Sequence, residues 1–193
     1  MYNLRTYIPR NTEEDSLLYV YFVGHGGLDQ GKEGPYIIPY DGNVRLGEDT
    51  DYRLKHFYED LENLKIKRSF VFLDTSFNGL AARSDNRVLP GAKRVLKPNG
   101  NLSLSSDKVI SMISSTGGQV SNFYPEKGYG LFTYFLLRAL RGEAHKSRSS
   151  LMTMGELYSY VKDHVTKVSL QRGMEQIPIL TPSLDKVKDI EIE

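Results

Sequence analysis

The chain contains no cysteine, no marked excess of charge of either sign and no long apolar run. The absence of cysteine excludes a disulfide framework, a thiolate zinc site and a cysteine nucleophile in this sequence. Lys and Arg number 25 against 24 Asp and Glu, so no bulk field attracts nucleic acid or an anionic membrane. No stretch approaches the roughly 20 apolar residues that cross a bilayer, and the N-terminus lacks the apolar core of a signal peptide. We therefore expect a cytoplasmic protein with neither a nucleic-acid nor a membrane partner.

Short apolar runs alternate with stretches of helical periodicity along the 193 residues. The short runs predict strands at residues 17–22, 36–40, 69–73, 109–113 and 177–180. Helical spacing predicts one helix capped by Thr50 or Asp51, one over residues 132–140, and one opened by a capping box of Thr153 and Glu156. Strands separated by helical crossovers indicate a three-layer α/β/α sandwich with a mostly parallel central sheet, in a single domain over residues 1–193.

Two turns that follow predicted strands carry side chains suited to catalysis. His25 lies between Gly24 and Gly26, and Ser76 follows the strand at residues 69–73. Taken singly, each has a plain interpretation, a histidine in a glycine-rich loop and a serine in a turn or at a helix N-cap. Because the carboxyl ends of parallel strands meet at one edge of a sheet, we expect the imidazole to lie within reach of the hydroxyl. The pair at matching strand ends favours a nucleophile and its base.

The sequence around both turns resembles the caspase and metacaspase family, in its prokaryotic branch. Residues 21–26, Tyr-Phe-Val-Gly-His-Gly, resemble the family motif Tyr-Phe-Ser-Gly-His-Gly, and residues 73–79, Leu-Asp-Thr-Ser-Phe-Asn-Gly, resemble Leu-Asp-x-Cys-Phe-Ser-Gly. Ser76 follows His25 by 76 − 25 = 51 residues, and a caspase-type protease places its histidine about 50 residues before its nucleophile. Supporting similarities lie at residues 36–41, 113–121, 130–134 and 155–158. The resemblance covers nearly the whole chain and implies a caspase-like fold.

The resemblance implies an endopeptidase that acts on a peptide or protein substrate through a Cys–His type dyad. In this sequence His25 would be the general base or imidazolium partner, and Ser76 would attack the scissile carbonyl. The backbone N–H groups of Gly26 and Ser76 would form the oxyanion hole. No cofactor is implied, and the family analogy leaves calcium dependence open without an identified site.

Three further residues are implied to bind substrate, namely Asp74, Val23 and Ser114. Asp74 resembles the acidic residue that lines the S1 pocket of metacaspases, which implies arginine or lysine at P1. A carboxylate that caps the following turn is the alternative interpretation, and the sequence leaves both open. Val23 stands where metacaspases have a serine of the same pocket, which weakens the implied P1 preference.

Ser76 is the main departure from the family pattern, because the family has cysteine at this position. A serine hydroxyl is far harder to ionise beside an imidazole than a thiol is, so we expect the chain as given to be inactive or very weak. An engineered substitution and a natural pseudoprotease both fit. A non-catalytic peptide-binding or regulatory module is therefore the alternative function. The predicted sheet also fits a third function, a small-molecule-binding flavodoxin-like domain. The absence of a phosphate-binding glycine loop after the first strand argues against it.

The resemblance also bears on the ends and loops of the chain. Family members carry a strand, a helix and a second strand before the segment equivalent to residues 17–22. We therefore expect an N-terminally truncated domain that a longer chain completes.

The polar segment 83–107 falls at the junction of the large and small caspase subunits, and a loop of this length is usually functional or disordered. Candidate self-cleavage sites there are Arg83, Arg87, Lys93 and Arg94, and a solvated charged loop is the alternative. Residues 143–146, Glu-Ala-His-Lys, stand where some relatives have an acidic, calcium-loop-like stretch, and their basic side chains disfavour a metal ion, so no metal ligand is predicted.

Overall fold

A computed structural model of the chain describes residues 3–28, 34–40, 52–77, 107–115, 118–145 and 151–192. The strands, in chain order from β1 to β11, are Leu17–Val23, His25–Leu28, Pro35–Ile38, Tyr52–Arg53, Arg68–Asp74, Val109–Ile113, Phe123–Tyr124, Tyr129–Gly130, Met152–Thr153, Ile179–Thr181 and Glu191–Ile192. The α-helices, from α1 to α5, are Ile8–Arg10, Leu54–Glu62, Leu131–Arg138, Met154–Gln171 and Leu184–Val187.

The central sheet has the strand order β1-β5-β6-β10. Strands β1, β5 and β6 are parallel, and β10 pairs antiparallel with β6. These four strands coincide with the predicted runs 17–22, 69–73, 109–113 and 177–180, each to within two residues at either end. The strand predicted at 36–40, a short peripheral one, corresponds to β3 in a small antiparallel sheet of β2, β3 and β4.

Helices cover both faces of the central sheet, as the alternating pattern predicts. On one face, α2 packs against a buried cluster that includes Val71 and Leu73 of β5. On the other face, α3 and α4 pack against Phe70 and Phe72 of the same strand. Because successive side chains of a strand point to opposite faces, β5 contributes to both cores and its residues 69–74 are buried. The three-layer sandwich with a mostly parallel sheet is therefore confirmed.

Two of the helix ends agree with the prediction from the sequence, and one does not. The capping box at the start of α4 is present, with Thr153 and Glu156 bonding reciprocally. Gly142, at φ 104°, ends the wider turn that continues α3 over Ala139–Glu143. Helix α2, however, begins at Leu54 and has Arg53 as N-cap without a side-chain bond, so the predicted cap at Thr50 or Asp51 is wrong. The physical reason is that β4 pairs with β3, which keeps Tyr52 and Arg53 extended up to the helix.

Strand β1 lies at one edge of the described central sheet, paired with β5. Alternate side chains of β1 pack into the α2 core, and the others stand on the α3–α4 side, where Tyr21 is 50% and Val23 55% exposed. The N-terminal segment before β1 is tied to α2, because Arg5 Nε donates to both oxygens of the Asp60 carboxylate, at 2.9 and 3.0 Å. That the chain is a fragment stays a prediction.

Candidate active site

The register of β1 and β5 determines which residues meet at the carboxyl edge of the sheet. Val23, the last residue of β1, pairs with Asp74, the last residue of β5. The Gly24 N–H extends the ladder by donating to the Asp74 carbonyl at 3.4 Å. His25 and Ser76 each lie two residues past the Val23–Asp74 pair, and His25 is already the first residue of β2, which pairs with β3 in the small sheet.

Gly26 holds the histidine turn against the serine turn. A Cβ at this position would lie 2.7 Å from the Phe77 ring and 3.0 Å from Thr75 Oγ1, closer than side chains normally approach. Only glycine therefore fits between these side chains without displacing them. The contact brings the backbone of Gly26 next to Thr75 and Phe77, the residues on both sides of Ser76. Gly26 and Ser76 are the two positions that the resemblance assigns to the oxyanion hole.

The two candidate catalytic side chains differ in exposure. Ser76 is buried, with 8% of its surface accessible, and His25 is exposed. Ser76 is therefore largely covered by the protein, whereas His25 is open to solvent. An exposed histidine can exchange protons with water, as a general base must.

Asp74 is a buried carboxylate bound by hydroxyl and amide donors. Its Oδ1 accepts a short hydrogen bond from Ser121 Oγ. Its Oδ2 accepts from Thr133 Oγ1 at 2.5 Å and from the Thr133 N–H, in the first turn of α3, at 3.2 Å. Gly130, at the N-cap of α3, leaves the necessary room, because a Cβ there would lie 2.2 Å from Oδ2. Asp74 thus binds the start of a distant helix, a contact that neither of the two interpretations of this residue from the sequence included.

Burial controls the protonation of Asp74. It raises the pKa of this carboxyl above its usual value, because the charged form loses its hydration. The hydrogen bonds from Ser121 and Thr133 act in the opposite direction, since they favour the charged form. The Tyr21 hydroxyl extends the group toward solvent through a 2.6 Å hydrogen bond with Thr133 Oγ1.

Val23 and Ser114, the other candidate substrate residues, lie at the same edge as Asp74. Val23 stands beside Asp74 on β1 and is more than half exposed. Ser114 follows β6 and is fully buried, and its Oγ donates to the Thr75 carbonyl at 2.9 Å and accepts from the Thr75 N–H at 3.1 Å. Ser114 therefore holds the backbone next to Ser76, a contact that its sequence position did not indicate.

Three residues of the site escaped the sequence analysis as functional candidates. Ser121 and Thr133 bond to Asp74, and Gln176 bonds to Ser121 and Ser114. Ser121 and Thr133 fall within the segments 113–121 and 130–134 that carry the family resemblance, so those segments were the available signal. Gln176 has no such signal in the sequence.

Several predicted residues lie outside the described part of the chain. These are the candidate self-cleavage sites Arg83, Arg87, Lys93 and Arg94, together with most of the loop 83–107. Among the residues described, no group of three or more His, Cys, Asp or Glu is arranged to hold a metal ion. No helix in the described ranges is long and apolar enough to span a membrane.

The fold and the site together define an α/β/α sandwich with a candidate nucleophile–base pair beyond neighbouring parallel strands. The family model of the caspase domain matches residues 3–188, and the chain belongs to this peptidase family. Membership supports a peptidase-like function of the cysteine type, acting on peptide or protein substrates. The resemblance inferred from the two turn motifs is thereby confirmed.

Solved structures show the same fold. Caspase-1 from Spodoptera frugiperda superposes with a TM-score of 0.57 at 15% identity, over 93% of this chain and 67% of that one. A crystallised protein from Geobacter sulfurreducens gives a TM-score of 0.53 at 15% identity, over 93% and 72% of the two chains. At this identity the similarity concerns the fold alone. No curated protein matches the sequence.

Proposed function

We propose that this chain is a caspase-type endopeptidase domain built to cleave peptide bonds after arginine or lysine, with His25 as base and position 76 as nucleophile, and that it is inactive or very weak with serine at position 76. The proposal is supported by the register, in which Val23 and Asp74 pair at the ends of β1 and β5, two residues before positions 25 and 76. Adjacent strands of a sheet are about 4.8 Å apart, so the two turns begin close together. The close approach of Gly26 to Phe77 and Thr75 supports contact between the turns. Family membership supports the same assignment.

The chemistry begins with proton transfer from the residue 76 side chain to the imidazole of His25. The freed nucleophile attacks the scissile carbonyl, and the developing oxyanion accepts hydrogen bonds from the N–H groups of Gly26 and Ser76. The imidazolium then returns the proton to the leaving amine, and water hydrolyses the acyl intermediate by the same route. With serine at position 76 the first transfer is unfavourable, so the chain as given is inactive or very weak.

A basic P1 residue is favoured by the environment of Asp74. Neither a lysine nor an arginine in the described ranges pairs with this buried carboxylate, whose partners are Ser121 and Thr133. A buried charge without a counter-charge is costly, and a cation brought by a ligand offsets that cost. A P1 guanidinium or ammonium group has the required charge and reach, and it would bind beside Val23 on the exposed side of the edge.

The second candidate function is a peptide-binding module without catalysis. The observation that favours it is Ser76 itself, in a chain with no cysteine to replace it. Such a module would keep the cleft and the affinity for a basic side chain, and it would lack the covalent step.

The Ser76→Cys variant tests both functions. We expect it to hydrolyse fluorogenic peptides with arginine or lysine at P1 and to leave the matched norleucine peptide intact. Ser76→Ala is the control for hydrolysis that does not involve residue 76, and Ser76→Cys combined with His25→Ala is the control for the base.

Two outcomes separate the candidates. If Ser76→Cys binds the arginine peptide and does not cleave it, the binding module is correct and the peptidase assignment is wrong. If it neither binds nor cleaves any of the peptides, both proposals are wrong.

A further inference from the structure

Gln176 lies in the connection between α4 and β10, far along the chain from both candidate catalytic turns. It is fully buried, at 0% exposure, and it is among the largest side chains that the fold encloses completely. A buried amide is costly unless its donors and acceptor are all bonded. Each polar atom of the Gln176 side chain is therefore expected to have a hydrogen-bond partner.

Both ends of the Gln176 amide are fully used. Oε1 accepts from the Asn122 N–H at 2.8 Å and from Asn122 Nδ2 at 3.1 Å. Nε2 donates to the Ser114 carbonyl at 3.0 Å and to Ser121 Oγ at 3.5 Å. An amide side chain has two donor hydrogens and one oxygen with two lone pairs, so no capacity is left over. Gln176 thus joins the end of β6 to the segment at residues 121–122.

The partners of Gln176 are the groups that contact the site. Ser121 receives a hydrogen from Gln176 and donates its own hydroxyl proton to Asp74. Because Nε2 occupies a lone pair of the Ser121 oxygen, the O–H of Ser121 is directed at the carboxylate. Ser114 in turn holds the backbone of Thr75, immediately before Ser76.

We propose that Gln176 is a positioning residue that determines specificity by orienting the Ser121 hydroxyl toward Asp74. It does not touch substrate, and it acts through the hydrogen-bonded series Gln176–Ser121–Asp74. This series keeps the carboxylate in place and favours its charged form, which is the form that attracts a basic P1 side chain. The inference rests on the proposed function of Asp74.

A side chain that only fills space would tolerate an isosteric change, whereas an orienting amide would not. Gln176→Glu keeps the volume and an acceptor for Asn122, and it removes both hydrogens that reach Ser114 and Ser121. When the introduced carboxyl group is protonated, its O–H restores one donor. The variant therefore carries a pH-dependent readout that a packing role does not produce.

The experiment uses the chain with Ser76 in place and two labelled hexapeptides, with arginine or norleucine at P1. Fluorescence anisotropy gives the dissociation constants, and their ratio is the P1 preference. Above about pH 9, where a fully buried glutamate becomes ionised, we expect Gln176→Glu to lower the ratio about tenfold, the size of one lost hydrogen bond to a charged group. As the pH falls, the ratio should recover relative to wild type measured at the same pH. Gln171→Glu, the same change at an exposed position of α4, is the matched control and should retain the wild-type ratio.

The outcomes distinguish a failure of the positioning role of Gln176 from a failure of the proposed function. A wild-type P1 preference that Gln176→Glu leaves unchanged overturns the positioning role alone. Equal binding of both peptides by wild type overturns the proposed function and this inference with it. Should Gln176→Glu fail to fold, Gln176→Met, which keeps the volume without any hydrogen bond, must lower the ratio at every pH. An unchanged ratio in that variant refutes the inference.

Discussion

Asp74→Asn tests whether the site contains a buried carboxylate whose charge is costly to the fold. In wild type, three donor groups from Ser121 and Thr133 point at two carboxylate oxygens. The asparagine side chain has one oxygen that can accept and an NH2 group that can only donate. This NH2 group would face a donor of Ser121 or Thr133, so at least one hydrogen bond is lost. A buried donor or acceptor left without a partner costs about 1–3 kcal/mol. At low pH, where Asp74 is protonated, we therefore expect the variant to be less stable than wild type by about that amount.

The pH dependence follows from the direction of the pKa shift. Burial raises the pKa of Asp74 in the folded state above its unfolded value, so the folded state holds this proton more tightly. The contribution to stability is complete below the unfolded pKa and is lost as the pH rises through the folded pKa. Each unit of pKa difference corresponds to about 1.4 kcal/mol. Asparagine does not titrate, so the stability gap between wild type and Asp74→Asn should narrow as the pH rises.

Urea denaturation of both proteins at several pH values between about 4 and 8 measures this gap through the linear dependence of unfolding free energy on urea. Asp185→Asn removes one exposed carboxylate and controls for the change in net charge. A gap that stays constant or widens with rising pH would refute the reasoning, because the buried carboxylate would then be stabilised by its surroundings. In the peptide assay, Asp74→Asn should reduce the affinity for the arginine peptide about 30-fold or more, which corresponds to about 2 kcal/mol for removing one partner of a buried charge pair.

Three further predictions concern the turns, the helix start and the central loop. Gly26→Ala should destabilise the fold by about 1–3 kcal/mol, because its Cβ would meet the Phe77 ring, and thermal unfolding will show a lowered midpoint. Thr153→Ala should cost about 1 kcal/mol in urea denaturation by removing the capping box with Glu156, and an unchanged midpoint would contradict the role of that cap. Purified Ser76→Cys should cut itself within residues 83–97, after arginine or lysine, and intact-mass spectrometry that finds only the full-length chain would count against this processing.

Much of the fold could be predicted because its signals are local. Four apolar runs became the strands of the central sheet, and the capping box at Thr153 marks the start of α4. The cap of α2 was mispredicted because β4 pairs with β3, a contact between segments that periodicity does not relate. The same limitation applies to β2 and β4 of the small sheet, which have four and two residues and were not predicted, whereas β3 was.

The candidate site likewise has a part that the sequence predicted and a part that it did not. The turns that carry His25 and Ser76 were identified from their own residues and from the strands before them, since a parallel sheet gathers the carboxyl ends of its strands. The hydrogen-bonded frame behind them was not identified, because its members lie far apart along the chain. Ser121 is 47 residues and Thr133 is 59 residues from Asp74, the carboxylate that they bind.

The amino-acid sequence by itself determined the order of the main strands and helices, the two candidate catalytic turns and the absence of a thiol at position 76. Periodicity, turn chemistry and composition are properties of neighbouring residues, so they can be read without knowing the fold. Only the tertiary structure decided that Asp74 is buried and bonded to the start of α3, and that Gln176 supports it through Ser121. Burial and hydrogen-bond partners arise when distant segments pack together, and they set the charge and orientation of the groups on which recognition depends.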